Sequence, residues 1–195
     1  SLNIAHNASL LAAVDNVVVT PNTNSAITAK WQAPVDKDKV TLAYCEGKAA
    51  KNAPVAPAEN NYSIMVGSIY TPAMLKGRNG YEITSVNFYP LNDATFTAII
   101  YKDDEQIGEI EINDYELKQW NTVKLAEPIV IDSKSSYKLV IDCYDVTPKC
   151  AAMALDQNMP VQDYSDIYSL DGESWNSVTS ASIYGNWMIG MNIEN

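Results

Sequence analysis

The chain has 195 residues, with 13 Lys+Arg against 24 Asp+Glu and a formal net charge of −11. With 47% hydrophobic and 19% charged residues, it has the make-up of one globular domain rather than of a disordered chain. No apolar run approaches the ~20 residues of a membrane-crossing helix, and the acidic balance argues against nucleic acid, whose phosphates need clustered Lys and Arg.

Helical periodicity is almost absent. Short alternating runs of Val, Ile, Thr and Tyr recur between Gly, Pro, Asn and Asp, the pattern of an all-β fold. Residues 1–15, rich in Asn and Ala, read as a linker or weakly ordered segment, and 16–195 as a single β-sandwich domain. Residues 16–20 read as a strand closed by Pro21 and Asn22. Residues 26–32 form a second, with Ile27, Ala29 and Trp31 on one face, and residues 40–45 a third. The Ala/Pro-rich stretch 48–60 has no period and reads as a surface loop. After a strand over 62–69, one short helix is expected at 71–77. Thr71 caps it, Pro72 suits its first turn, Met74 and Leu75 face inward, and Gly77 ends it.

Residues 82–89 carry Ile83 out of phase with Val86 and Phe88, which predicts a bulge or burial on both faces. Residues 94–102 are apolar on both faces, as in the middle of a sheet. In 106–112, Ile107 is off the phase of Ile110 and Ile112, and Gly108 marks a bulge. Residues 120–125 and 129–131 read as two runs flanking Pro128. Residues 136–143 place Tyr137, Leu139, Ile141 and Cys143 on one face. A further run is expected over 150–155, and a hairpin turns at Asp171-Gly172 between 167–170 and 174–178. The last run sets Trp187, Ile189, Met191 and Ile193 against Met188, Gly190, Asn192 and Glu194. Roughly ten to twelve strands and one short helix predict a jelly-roll-like antiparallel β-sandwich.

Nucleophilic and nucleotide chemistry find little support. The single histidine, His6, lies in the weakest-patterned segment, and neither a phosphate-binding glycine loop nor a zinc-binding HExxH is present. Cys45, Cys143 and Cys150 lack zinc spacing; they read as small apolar side chains, although a Cys143–Cys150 bridge is compatible with the loop between them. Asp142, Asp145, Asp156, Asp163, Asp166 and Glu173 supply carboxylates for a glycosidase, but their spacing selects no pair. No cofactor is expected. Calcium is the one metal the loops invite, through Asp142 with Asp145, or Asp163 with Asp166 and Asp171, although turn-forming is the commoner use of such residues.

Aromatic residues are the main candidates. The chain has 12 Tyr and 4 Trp against 2 Phe. Tyr164, Tyr168, Trp175 and Tyr184 cluster with Asp163 and Asp166 in one segment, where rings can stack on a sugar and carboxylates take its hydroxyls. Trp31, Trp120 and Trp187 lie in strand phase and read as core.

The stretch Ile27-Thr28-Ala29-Lys30-Trp31-Gln32-Ala33-Pro34 resembles a V-T-x-x-W-x-A-P phrase of Bacteroidetes surface proteins. Tyr44-Cys45-Glu46-Gly47 follows as Y-x-x-G. Tyr70-Thr71-Pro72-Ala73-Met74-Leu75, Gly80 and Ile83-Thr84-Ser85-Val86-Asn87-Phe88-Tyr89 match the next phrase in order. Thr97-Ala98-Ile99-Ile100-Tyr101 and Trp120-Asn121-Thr122-Val123-Lys124-Leu125-Ala126-Glu127-Pro128-Ile129-Val130-Ile131 continue it. Ser169-Leu170-Asp171-Gly172-Glu173-Ser174-Trp175 and Gly185-Asn186-Trp187-Met188-Ile189 complete the set over about 26–195. The chain thus resembles the jelly-roll-like modules of Bacteroidetes cell-surface and secreted proteins, which accompany adhesin and hemagglutinin regions and gingipain- or streptopain-type peptidases. The resemblance implies an extracytoplasmic, non-enzymatic module with no catalytic residues, and glycan or a surface protein as partner. It departs from the pattern at Cys45, where an acidic residue is common. The alternative is a structural spacer of a larger surface protein, with no small-molecule ligand.

Overall fold

The computed structural model describes residues 18–23, 26–30, 38–48 and 59–195, which fall in two units, Ser1–Asp38 and Lys39–Asn195. In the first unit, β1 (Val18–Thr23) and β2 (Ala26–Lys30) pair antiparallel in a two-stranded sheet of their own, with a register shift between Pro21 and Thr23. The expectations for residues 1–15, His6, Trp31 and most of the 48–60 loop lie outside the described residues.

The second unit is a β-sandwich. Its strands are β3 (Lys39–Ala43), β4 (Tyr62–Tyr70), β5 (Glu82–Phe88), β6 (Thr95–Lys102), β7 (Glu105–Ile112), β8 (Asn121–Val130) and β9 (Tyr137–Val146). There follow β10 (Leu155–Asp156), β11 (Ile167–Ser169), β12 (Asn176–Ser177), β13 (Asn186–Trp187) and β14 (Ile189–Glu194). One sheet runs β12-β11-β4-β9-β6-β7 and the other β3-β14-β5-β8, while β10 and β13 pair apart. Numbered in chain order, the eight longer strands read 1-8-3-6 in one sheet and 2-7-4-5 in the other. That alternation between sheets is the jelly-roll order.

Alternation in the sequence builds the core directly. Tyr137, Leu139, Ile141 and Cys143 of β9 face Ile189, Met191 and Ile193 of β14, all at most 1% exposed. Phe88 of β5 and Phe96 of β6 meet between the sheets at 5.6 Å, and Tyr115 closes on Phe96 edge-on at 5.0 Å. Trp187 is buried, and its indole N–H donates to the Ile167 carbonyl at 2.9 Å. β6, apolar on both faces, is an inner strand between β9 and β7. The out-of-phase residues sit at register shifts, Ile83 against β8 and Ile107 where β6 steps from Ile100 to Tyr101. β8 joins the two runs expected around Pro128 into one strand, bulged between Lys124 and Ile129 where it faces β5.

Two expectations are corrected. Residues 71–77 form consecutive turns instead of a helix: the Thr71 carbonyl accepts from both Met74 and Leu75 amides, and Leu75 then accepts from Arg78. So short a run ends at Gly77 before cooperative helix bonding is established. Leu75 is still fully buried. The one helical element among the described residues is a 3₁₀ turn, Val178–Ala181. Trp120 is not core but 38% exposed, because it precedes β8 at the sheet edge and packs edge-on against Tyr89 at 5.9 Å.

Candidate functional site

The outer face of the four-stranded sheet carries a row of amides and hydroxyls across all four strands. Register puts Thr41 beside Asn192, and Asn87 beside Thr122. Thr41 donates its hydroxyl to Asn192 Oδ1 at 2.7 Å, and Thr122 donates to Asn87 Oδ1 at 2.7 Å. The two amides exchange bonds, Asn87 Nδ2 to Asn192 Oδ1 at 2.9 Å and Asn192 Nδ2 to Asn87 Oδ1 at 3.0 Å. Asn192 Nδ2 also reaches Ser85 Oγ at 2.9 Å. Each amide is therefore held in one orientation, while the threonine oxygens keep acceptor lone pairs.

Two adjoining cavities open along this row. One, about 300 Å³, is lined by Thr41, Asn87, Thr122, Cys45, Glu46 and Trp120 among others. The second, about 490 Å³, shares Thr41 and continues over Ser85 and Asn192 to Lys39, Lys124 and Glu194. Together they make a groove of the size that small-molecule sites occupy. Gly190 lies in its floor, where a Cβ would come within 2.9 Å of the Leu42 carbonyl oxygen. Trp120 walls one end beside Gly47, whose φ of +91° strains any side chain and where an added Cβ would lie 3.2 Å from the indole nitrogen.

A loop clamp holds that end. Asp156, fully buried, accepts from the Glu46 amide at 2.8 Å and from the Asn158 amide and side chain at 2.9 and 3.0 Å. Burial opposes its charge, but the donors of Asn158, Glu46 and Lys48 outweigh burial and hold its carboxyl below the usual range. Burial, and then Asp156, push the Cys45 thiol up to about 11.

The aromatic segment expected to form a site is dispersed. Tyr168 lies across from Val66 and packs against the core. Trp175 lies on the opposite face, where it meets Gly67 and Ile167, with the Lys138 ammonium 4.8 Å from its ring and 4.6 Å from that of Tyr101. Tyr164 is 53% exposed and Tyr184 59%. Asp163 and Tyr164 neighbour Tyr44, whose hydroxyl is raised to about 12 by burial first and then by these two groups. Asp166 is buried and serves the 3₁₀ turn: its Oδ2 accepts from the Ser177 hydroxyl, and from the Thr179 hydroxyl at 2.9 Å.

The candidate acids are likewise separate. Asp142 is raised by burial and then by Glu109, Asp145 accepts from Asn61 Nδ2 at 2.6 Å, and Glu173 donates its amide to the Asp171 turn. Among the described residues, no three His, Cys, Asp or Glu side chains gather as a metal site. All three cysteines are free, with Cys143 in the core and Cys45 and Cys150 partly exposed.

Pattern reading missed the groove. Asn87 and Asn192 were nevertheless a signal, since asparagine is disfavoured inside strands and both sit at the outward positions of apolar alternations. Their convergence depends on a pairing of β5 with β14 more than 100 residues apart in the chain. No family model matches the chain, and neither the curated proteins nor the solved structures compared with it give a match.

Proposed function

We propose that the chain is a non-enzymatic, extracytoplasmic β-sandwich module of a cell-surface or secreted protein, and that it binds carbohydrate in the groove on the four-stranded sheet. The observation that carries this reading is the Thr41–Asn192–Asn87–Thr122 row beside the exposed Trp120. Sugars present hydroxyls that donate and accept, together with an apolar ring face. The row offers preoriented partners for the first and the indole a surface for the second. The two carboxylates of the groove, Glu46 and Glu194, line different cavities, and Glu194 is paired with Lys39 at 3.3 Å, which favours binding over acid–base hydrolysis. Placement at the cell surface rests on the resemblance carried by residues 26–195.

A glycan array probed with the purified chain tests this reading. Retention is expected, and Trp120→Ala is expected to abolish it while the melting temperature stays within a few degrees. Retention unchanged in Trp120→Ala overturns the groove as the site. Silence across the array favours the structural-spacer reading.

A further inference from the structure

We infer that the groove reads two neighbouring hydroxyls of one sugar ring in a fixed sense, the first donating to Thr122 Oγ1 and the second accepting from Asn87 Nδ2, with the ring beside Trp120; this rests on the carbohydrate reading above. The protons of the polar row fix that sense. An amide oxygen only accepts, so the Thr41 and Thr122 hydroxyls each commit their single proton to one, at Asn192 Oδ1 and Asn87 Oδ1. Asn192 is saturated. Its Oδ1 accepts from Thr41 and Asn87, and its two amide protons go to Asn87 Oδ1 and to Ser85 Oγ. Ser85 is itself buried. Asn87 has one proton to spare. Its Oδ1 accepts from Thr122 and Asn192, but among the described residues only one Nδ2 proton is used, on Asn192 Oδ1. The row therefore presents lone pairs at its two threonine ends and a donor at Asn87. Register sets Asn87 directly across from Thr122, one strand spacing of about 4.8 Å away. Adjacent hydroxyls of one pyranose can meet both. On its other side Asn87 faces Gly190, and Gly190 and Ala43 line the same cavity as Asn87, Thr122 and Trp120, so only small residues floor the space a ring would take. A ligand oxygen without a proton meets only lone pairs at Thr122, and a site built around a hydroxyl discriminates strongly against an analogue that lacks its proton.

The test titrates the whole chain with methyl β-D-galactopyranoside, methyl β-D-glucopyranoside and methyl α-D-mannopyranoside, read by the NMR shift of the Trp120 indole N–H, which Trp120→Phe assigns. Each glycoside is compared with its monodeoxy and monodeoxyfluoro analogues. Fluorine keeps a weak acceptor and carries no proton. At least one glycoside is expected to bind, and to weaken roughly fivefold on deoxygenation at each of two adjacent carbons, the worth of one neutral hydrogen bond. Fluorine is expected to recover binding at the carbon over Asn87 and not at the carbon over Thr122. Thr122→Val is expected to erase the loss at the second carbon, and Thr122→Ser to keep it. Fluorine accepted at both carbons or at neither, or a pattern that survives Thr122→Val, overturns the inference and leaves the carbohydrate reading standing. No binding of any of the three glycosides overturns the inference, and together with a silent array it overturns both.

Discussion

Cys45 sits in the groove wall yet makes a poor nucleophile, because its thiol is held near 11 by burial and by Asp156. Alkylation proceeds through the thiolate. Iodoacetamide at pH 7.5 is therefore expected to label Cys45 far more slowly than a free cysteine, at a rate that climbs about tenfold per pH unit up to about 10. Peptide mass spectrometry over a time course reads this, and fast labelling at neutral pH contradicts it. At Gly47, alanine is expected to cost about 1–2 kcal/mol through the left-handed backbone alone. The added Cβ also presses on the indole, whose nitrogen it would meet at 3.2 Å, so Gly47→Ala should lower the denaturation midpoint and, on the proposed carbohydrate reading, weaken glycan retention. Residues with one dominant constraint were readable in advance: Trp187 and the inward side chains of β9 and β14 follow from alternation. Trp120 was not, since the same alternation applies at a sheet edge, where no second layer covers the ring.

At the scale of elements, the loop after β3 is set by one carboxylate. Asp156 ties Glu46 to Asn158, and so determines where Gly47 meets Trp120. Its carboxyl is lower in the folded chain than in the unfolded one. The stabilisation it gives is therefore complete above the unfolded value of about 3.9 and is lost as pH falls through the depressed folded value. Asp156→Asn is expected to cost roughly 1–3 kcal/mol at pH 7 and to flatten the decline of stability between pH 4 and pH 2. Urea midpoints across that range measure both effects, and a variant whose acid profile matches the wild type removes Asp156 from this role. Strand existence was legible here because period-two patterning is local. The turns at 71–77 and the single bulged β8 were not, because turn bonding and pairing to β5 decided them.

Across the whole molecule, the two sheets are joined by rings. Phe88, Phe96 and Tyr115 form a contiguous group between the layers, with Phe88 and Phe96 at most 1% exposed. Phe96→Ala is expected to cost about 3–5 kcal/mol, read as a lower denaturant midpoint with unchanged slope. The all-β class was evident from composition and spacing, but the sheet orders were not, since each of them joins strands far apart in sequence.

In the β-sandwich, the first strand lies antiparallel to the last, Lys39 opposite Glu194. A chain pulled through these two ends is loaded at a single corner. The β3–β14 ladder then bears force one hydrogen bond after another instead of all at once, as in a zipper. Such a module yields early, and it opens beside Thr41 and Asn192, the floor of the groove. Single-molecule pulling is expected to find a low rupture force, and a high, shear-like force would contradict this. Tension through these two ends would therefore open the sheet at Thr41 and Asn192, which couples load on the chain to the geometry of the proposed groove.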